Sequence, residues 1–116
     1  TLSTGANVVS GAAYDAIANA IKLKDEAAGL SEAGALEAAV DAEPDDHQAR
    51  YDLAIVRNAA GERLEAAEAL IAIIKRDRAW NEDGARKKLI EFFDAWGPKD
   101  PATLKGRRML STALFS

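Results

Sequence analysis

Two stretches of this chain repeat one another at a distance of 36 residues: Leu53-Ala54 runs on to Gly61, and Leu89-Ile90 runs on to Gly97 with the same spacing. A period of that length holds two helices and two turns and leaves little room for another fold. Around it, from Asp45 to Asp100, apolar residues recur three and four apart. The first helix carries Leu53, Ala54 and Val56, the second Leu64, Ala67, Leu70, Ile71 and Ile74, and the third Leu89, Ile90, Phe92, Phe93 and Trp96. Such spacing lays one apolar stripe along each helix, and a stripe is buried only against a neighbour. Breaks fall at Gly61, at Trp80-Asn81 and at Gly97-Pro98.

A chain of 116 residues makes one domain around one core. Abundant alanine with only three prolines favours closely packed helices over a sheet. The repeat length is close to the roughly 34-residue period of tetratricopeptide (TPR) hairpins. The fold expected is therefore all-α and TPR-like, with about six helices in three antiparallel pairs. Cores of this kind bind more often than they catalyse.

Net charge is −4, too mild for a nucleic-acid binder or a membrane-surface protein. The distribution is less even: residues 1–60 carry 4 basic and 10 acidic side chains, and residues 61–116 carry 11 and 9. Cysteine is absent, which excludes disulfides, thiolate metal sites and thiol redox chemistry within these residues and is compatible with a cytoplasmic setting. No apolar run reaches the roughly 18 residues of a membrane span. The opening residues lack the basic-then-apolar pattern of a signal peptide. The chain starts at Thr1 rather than Met, as a piece of a longer protein would.

Taken in order, residues 1–11 read as a tail or the end of a linker, with a frayed helix start as the other reading. Residues 12–116 read as the helical domain. A first helix, about Ala12 to Ala28, turns Tyr14, Ile17, Ala18, Ile21 and Leu23 inward and closes at Gly29. Ser31 is the expected cap of a second helix carrying Leu36, Ala39 and Val40, which ends before Pro44. Asp45 or Asp46 caps the third helix, and the fourth spans Arg63 to Arg76. Asn81 is the expected cap of the fifth, and Gly97-Pro98 stops it. Asp100-Pro101 starts the sixth, about Pro101 to Leu114, with Leu104, Met109, Leu110, Ala113 and Leu114 inward.

Catalytic patterns are poor. His47 sits among Glu43, Asp45 and Asp46, but neighbours at a helix start point in different directions and read as a capping cluster, not as metal ligands. The pairs Asp25-Glu26 and Glu82-Asp83 read as solvated faces, because nothing places them in an apolar pocket. Single glycines terminate helices and form no phosphate loop. No cofactor is expected.

Two basic clusters give a candidate surface, Arg76, Arg78, Arg86, Lys87 and Lys88. Acidic residues are interleaved and no aromatic platform accompanies them, which argues against nucleic acid. The chain ends RRMLSTALFS, with Leu110, Leu114 and Phe115 crowded near its last residue. Apolar residues there dock either onto the chain's own helices or onto a partner. Trp80 reads as a plug between successive hairpins.

Three segments carry a resemblance: PDDHQARYDLA with Gly61 and Ala66 after it, IIKRDRAWNEDGARKKLIEFFDAWGPKDP, and the terminal RRMLSTALFS. Together they resemble the C-terminal helical half of the YbbN-type thioredoxin-like co-chaperones, or chaperedoxins. The resemblance covers about Asp45 to Ser116, with residues 1–44 matching loosely. The thioredoxin-fold domain that comes first in that family is not within these residues. The resemblance implies a noncatalytic bacterial, cytoplasmic binding module that holds unfolded or stress-damaged proteins. It implies a GroEL-type chaperonin as partner, with DnaK also implicated, besides the module's own thioredoxin-fold domain. It places partner binding on Arg107, Arg108, Leu110, Leu114 and Phe115. Two other functions fit the residues: a structural module for self-association or intramolecular packing, and a general TPR adaptor for short peptides.

Overall fold

A computed structural model describes residues 11–115, with side chains from Ala16 onward. Of the tail read over residues 1–11, residues 1–10 lie outside the described residues and Gly11 opens the first helix; the Tyr14 side chain, read as inward, also lies outside what is described. Six helices follow one another: α1 Gly11–Ala28, α2 Ala33–Ala42, α3 His47–Ala59, α4 Arg63–Arg76, α5 Trp80–Trp96 and α6 Pro101–Phe115. This is the all-α, TPR-like fold expected.

Local chemistry sets most of the boundaries. The Asp46 carboxylate accepts the Ala49 amide at 3.0 Å and caps α3. At its other end Gly61 has φ 86°, which a side chain would strain. There the Gly61 amide donates to the Asn58 carbonyl and the Glu62 amide to the Arg57 carbonyl, the paired bonds of a Schellman turn. Gly97, at φ 93°, ends α5 in the same left-handed region. Asp100 then caps α6 by accepting the Ala102 amide at 2.8 Å, with Pro101 in the first turn.

Two expected caps differ. α2 begins after Glu32 rather than Ser31, and no side chain caps it. α5 does not start on an Asn81 cap. Instead Asn81, Glu82 and Asp83 carry φ values of 54°, 54° and 66°, so Trp80–Asp83 forms a kinked lead-in before regular helix resumes at Gly84. Just before these three residues, Trp80 packs edge-on against Tyr51 and His47 of α3, with ring centroids 5.4 and 5.9 Å away.

The core is centred on the α3–α4 hairpin. Ala54, Ala66 and Ala67 are fully buried, and their small side chains let the helices approach closely. Leu70, Ile73, Ile74, Leu89, Phe92 and Phe93 fill the space against α5. α2 packs on α3, and α6 packs mainly on α4. α1 lies across α5 and α3 rather than along α2, its neighbour in sequence.

The buried face of α1 differs from the expected one. Leu23 is inside, but Ile17 and Ile21 are 59% and 58% exposed, and Ala18 is exposed too. The inward face instead carries Leu23, Glu26 and Ala27, because Glu26 reaches a buried lysine on α5. On α6, Leu104 is likewise 48% exposed. That helix approaches through Thr103, Gly106 and Leu110, three and four residues apart, which turns Leu104 to the side.

Candidate protein-binding surfaces

The terminal helix has two unlike faces. Its inner face is built for close approach. A Cβ placed on Gly106 would lie 2.6 Å from Cε1 and 2.9 Å from Cζ of Phe93, so only glycine lets α6 settle there. Thr103 and Leu110 complete that contact. Of the five terminal residues singled out in the sequence, Leu110 is therefore core and not available to a partner. Leu114 is half-buried, and its carbonyl accepts from the Arg78 guanidinium at 3.4 Å. Arg107 is exposed but lays its guanidinium over the Phe93 ring, 5.3 Å from the centroid. Arg108 is exposed, and Phe115 is 84% exposed. The outer face thus combines Arg108, Leu104 and Phe115.

The second candidate surface does not assemble as one face. Arg76 pairs with Asp45 at 3.1 Å, Arg86 with Asp83 at 2.6 Å, and Arg78 is turned to the end of α6. Lys87 is exposed. Lys88 leaves the surface altogether, since it is buried between α1 and α5. Its ammonium donates to both Glu26 oxygens at 2.9 and 3.0 Å and to Glu91 at 2.8 Å. Lys22 closes the network by donating to Glu91 at 3.1 Å. Burial pulls the Lys88 pKa down, but hydrogen bonds to Glu91 and Glu26 and nearby negative charge outweigh it and leave the pKa raised. Burial likewise pushes Glu91 up, and its bonds from Lys88 and Lys22 reverse the sign and hold it below the ordinary carboxylate value. Glu26, read in the sequence as part of a solvated pair, is thus the anchor that orients α1.

The other shifted groups also serve packing. Burial raises the Tyr51 hydroxyl, whose ring lies 5.9 Å from the Lys88 ammonium. Burial and the nearby Arg76 charge lower Arg50, which donates to the Pro44 carbonyl. Among the described residues no group of three or more metal-ligating side chains converges. No described helix is long and apolar enough to cross a membrane.

Two grooves open beside these elements. One, of about 450 Å³, is walled by Ile17, Ile21 and Lys24 of α1 and floored by Trp96, whose indole donates to Asn58 at 2.6 Å. The other, of about 270 Å³, lies between α4 and α6 over Ile71 and Met109. Neither groove was visible in the sequence. Gly106 was the one available signal for the α6 contact, because a glycine inside a helix usually marks close packing.

Comparison with known proteins agrees with this architecture. The sequence profile of the tetratricopeptide repeat family matches residues 26–115. Similar curated proteins include two uncharacterized mycobacterial ones, Mb1359 of Mycobacterium bovis and Rv1324 of Mycobacterium tuberculosis. Each is 35% identical over 71 residues, which is 61% of this chain and 23% of the relative. The matched stretch is thus about a quarter of those proteins' length. No solved structure matches significantly. With six helices among the described residues, a 36-residue repeat and a profile match from the last turn of α1 to the end of α6, the chain belongs to the tetratricopeptide repeat family.

Proposed function

We propose that this chain is the noncatalytic protein-binding half of a thioredoxin-like co-chaperone of the bacterial cytoplasm. It holds unfolded or stress-damaged proteins and meets a GroEL-type chaperonin, with DnaK as a further partner, while a thioredoxin-fold domain elsewhere in the longer protein packs beside it. The observation that carries this reading is the division of α6. One face is packed on α4 and α5, with Gly106 set against Phe93 and Leu110 buried, and the other presents Phe115 and Leu104 to solvent beside Arg108. Exposed apolar side chains on a fixed helix offer anchors to an apolar segment, and an arginine adds charge-assisted bonds that set its register.

A second reading is favoured by a different observation. The Ile17–Ile21 ridge of α1 is exposed and borders a groove, which suits a surface that packs on a neighbouring domain or on another copy. A general TPR adaptor for short peptides is the third.

The readings separate in an aggregation assay with a chemically denatured test protein. The intact chain is expected to suppress light scattering, and Leu104→Ser with Phe115→Ser is expected to abolish most of that suppression at unchanged melting temperature. Full suppression by the double variant would remove the outer α6 face as the grip. No suppression by either chain, together with dimers lost on Ile21→Asp, would favour the packing reading.

A further inference from the structure

The groove between α4 and α6 has a charge pattern of its own, sharing only Arg108 with the outer α6 face. Its rim carries Lys75 from α4 and Lys105 and Arg108 from α6, all exposed. Its floor is aliphatic, Ile71 and Met109, and no carboxylate lines it. Among the described residues none of the three cations takes part in an ion pair, whereas Arg57, Arg63, Arg76 and Arg86 all do. Three unpaired cations around an apolar floor stand out in a chain of net charge −4.

We propose that this groove receives an acidic segment of a partner protein, its carboxylates meeting Lys75, Lys105 and Arg108 and one aliphatic side chain seated on Ile71 and Met109. The proposal deepens the protein-binding reading and rests on it, naming the chemistry of one partner segment. Carboxylates match the rim because each can accept from an ammonium or from the guanidinium fork. An aliphatic side chain matches the floor, which offers no aromatic ring for a base to stack on. Nucleic acid fits less well, since three cations neutralise few phosphates. Selectivity here comes from sign and affinity from the apolar floor.

The test is fluorescence anisotropy with a labelled short peptide bearing Leu and Glu at helical spacing. A counterpart with Gln for every Glu and a single-stranded oligothymidine serve as comparisons. The Glu peptide is expected to bind at least roughly tenfold more tightly than the Gln peptide, and Lys75→Gln with Lys105→Gln to remove that difference. Both lysines are exposed and unpaired, so the double variant is expected to melt like the parent, which circular dichroism checks. Equal binding of the two peptides, or selectivity that survives the double substitution, would overturn the proposal. Displacement of the Glu peptide by oligothymidine would overturn it too, by exposing a general polyanion patch. Arg108 is left in place so that client suppression through the outer α6 face is scored separately. Suppression retained with selectivity absent removes the groove alone, and selectivity retained with suppression absent supports the groove and removes the client reading.

Discussion

The chain with both Glu26→Gln and Glu91→Gln is expected to lose about 3 kcal/mol or more of stability, because it strands the Lys88 ammonium without a carboxylate in a buried position. The pair as it stands is not itself a large source of stability, since burying the charges offsets much of their attraction. A triple variant that also carries Lys88→Met is therefore expected to recover most of the loss. Its pH dependence gives a second reading. In the parent, Glu91 titrates below its ordinary value, so its contribution is present above pH 4.5 and lost as pH falls through the lowered value. Lys88 titrates above 10.5, so its contribution is complete below that pH and lost as pH rises past it. In the double variant the carboxylates are gone, and burial is the largest influence left on Lys88, opposed only by the Tyr51 hydroxyl once that ionises. The sign on the alkaline side then reverses, and stability rises with pH as the buried amine loses its proton. Urea melts across the pH range measure both effects. A parent and double variant with the same stability and the same alkaline slope would mean that Lys88 is not buried between α1 and α5.

Gly106→Leu is the second large expectation, at about 3 kcal/mol and a melting midpoint lower by roughly 10 °C. The added side chain has no room: its Cβ alone would press on the edge of the Phe93 ring, and Phe93 is itself wedged in the core. The better helix propensity of leucine returns about 1 kcal/mol, too little to reverse the sign. Phe93→Ala alone is expected to cost about 4 kcal/mol by leaving a cavity. The two together are expected to cost clearly less than their sum, since removing the ring makes space for the leucine. Strict additivity would show that α6 does not rest on Phe93.

What could be read from the sequence was what short-range chemistry decides. Asp46 and Asp100 cap, and Gly61 and Gly97 stop, because each acts on amides or dihedral angles a few residues away. α4 runs from Arg63 to Arg76 as its apolar spacing and basic last turn require. The all-α repeat followed from the 36-residue offset together with apolar residues three and four apart and abundant alanine.

What could not be read depends on distant partners. Apolar spacing favours Ile17 and Ile21 as the inward side of α1, yet the inward side carries Leu23 and Glu26, the latter bonded to Lys88 62 residues away, and both isoleucines face solvent. The same pair withdraws Lys88 from a cluster that looks uniformly basic on paper. The left-handed lead-in to α5 follows a Trp80 that rests on Tyr51 and His47 of another helix, contacts no local capping rule contains. At the terminus the sequence left docking on self and docking on a partner both open. Leu110 takes the first role, while Arg108 and Phe115 stay exposed.

This division of α6 also decides how its function is best tested. Deleting residues 109–116 would remove Leu110 along with Phe115, so lost binding could not be told from lost folding. The direct measurement is a titration of a GroEL-type chaperonin with the intact chain and with Arg108→Glu, Phe115→Ser, each melted in parallel. The expected result is binding by the intact chain, weakened roughly tenfold or more in the variant, at an unchanged melting temperature. Equal binding by both chains, or no binding by the intact one, would contradict the proposal that the outer α6 face is a partner-binding surface that reaches a chaperonin.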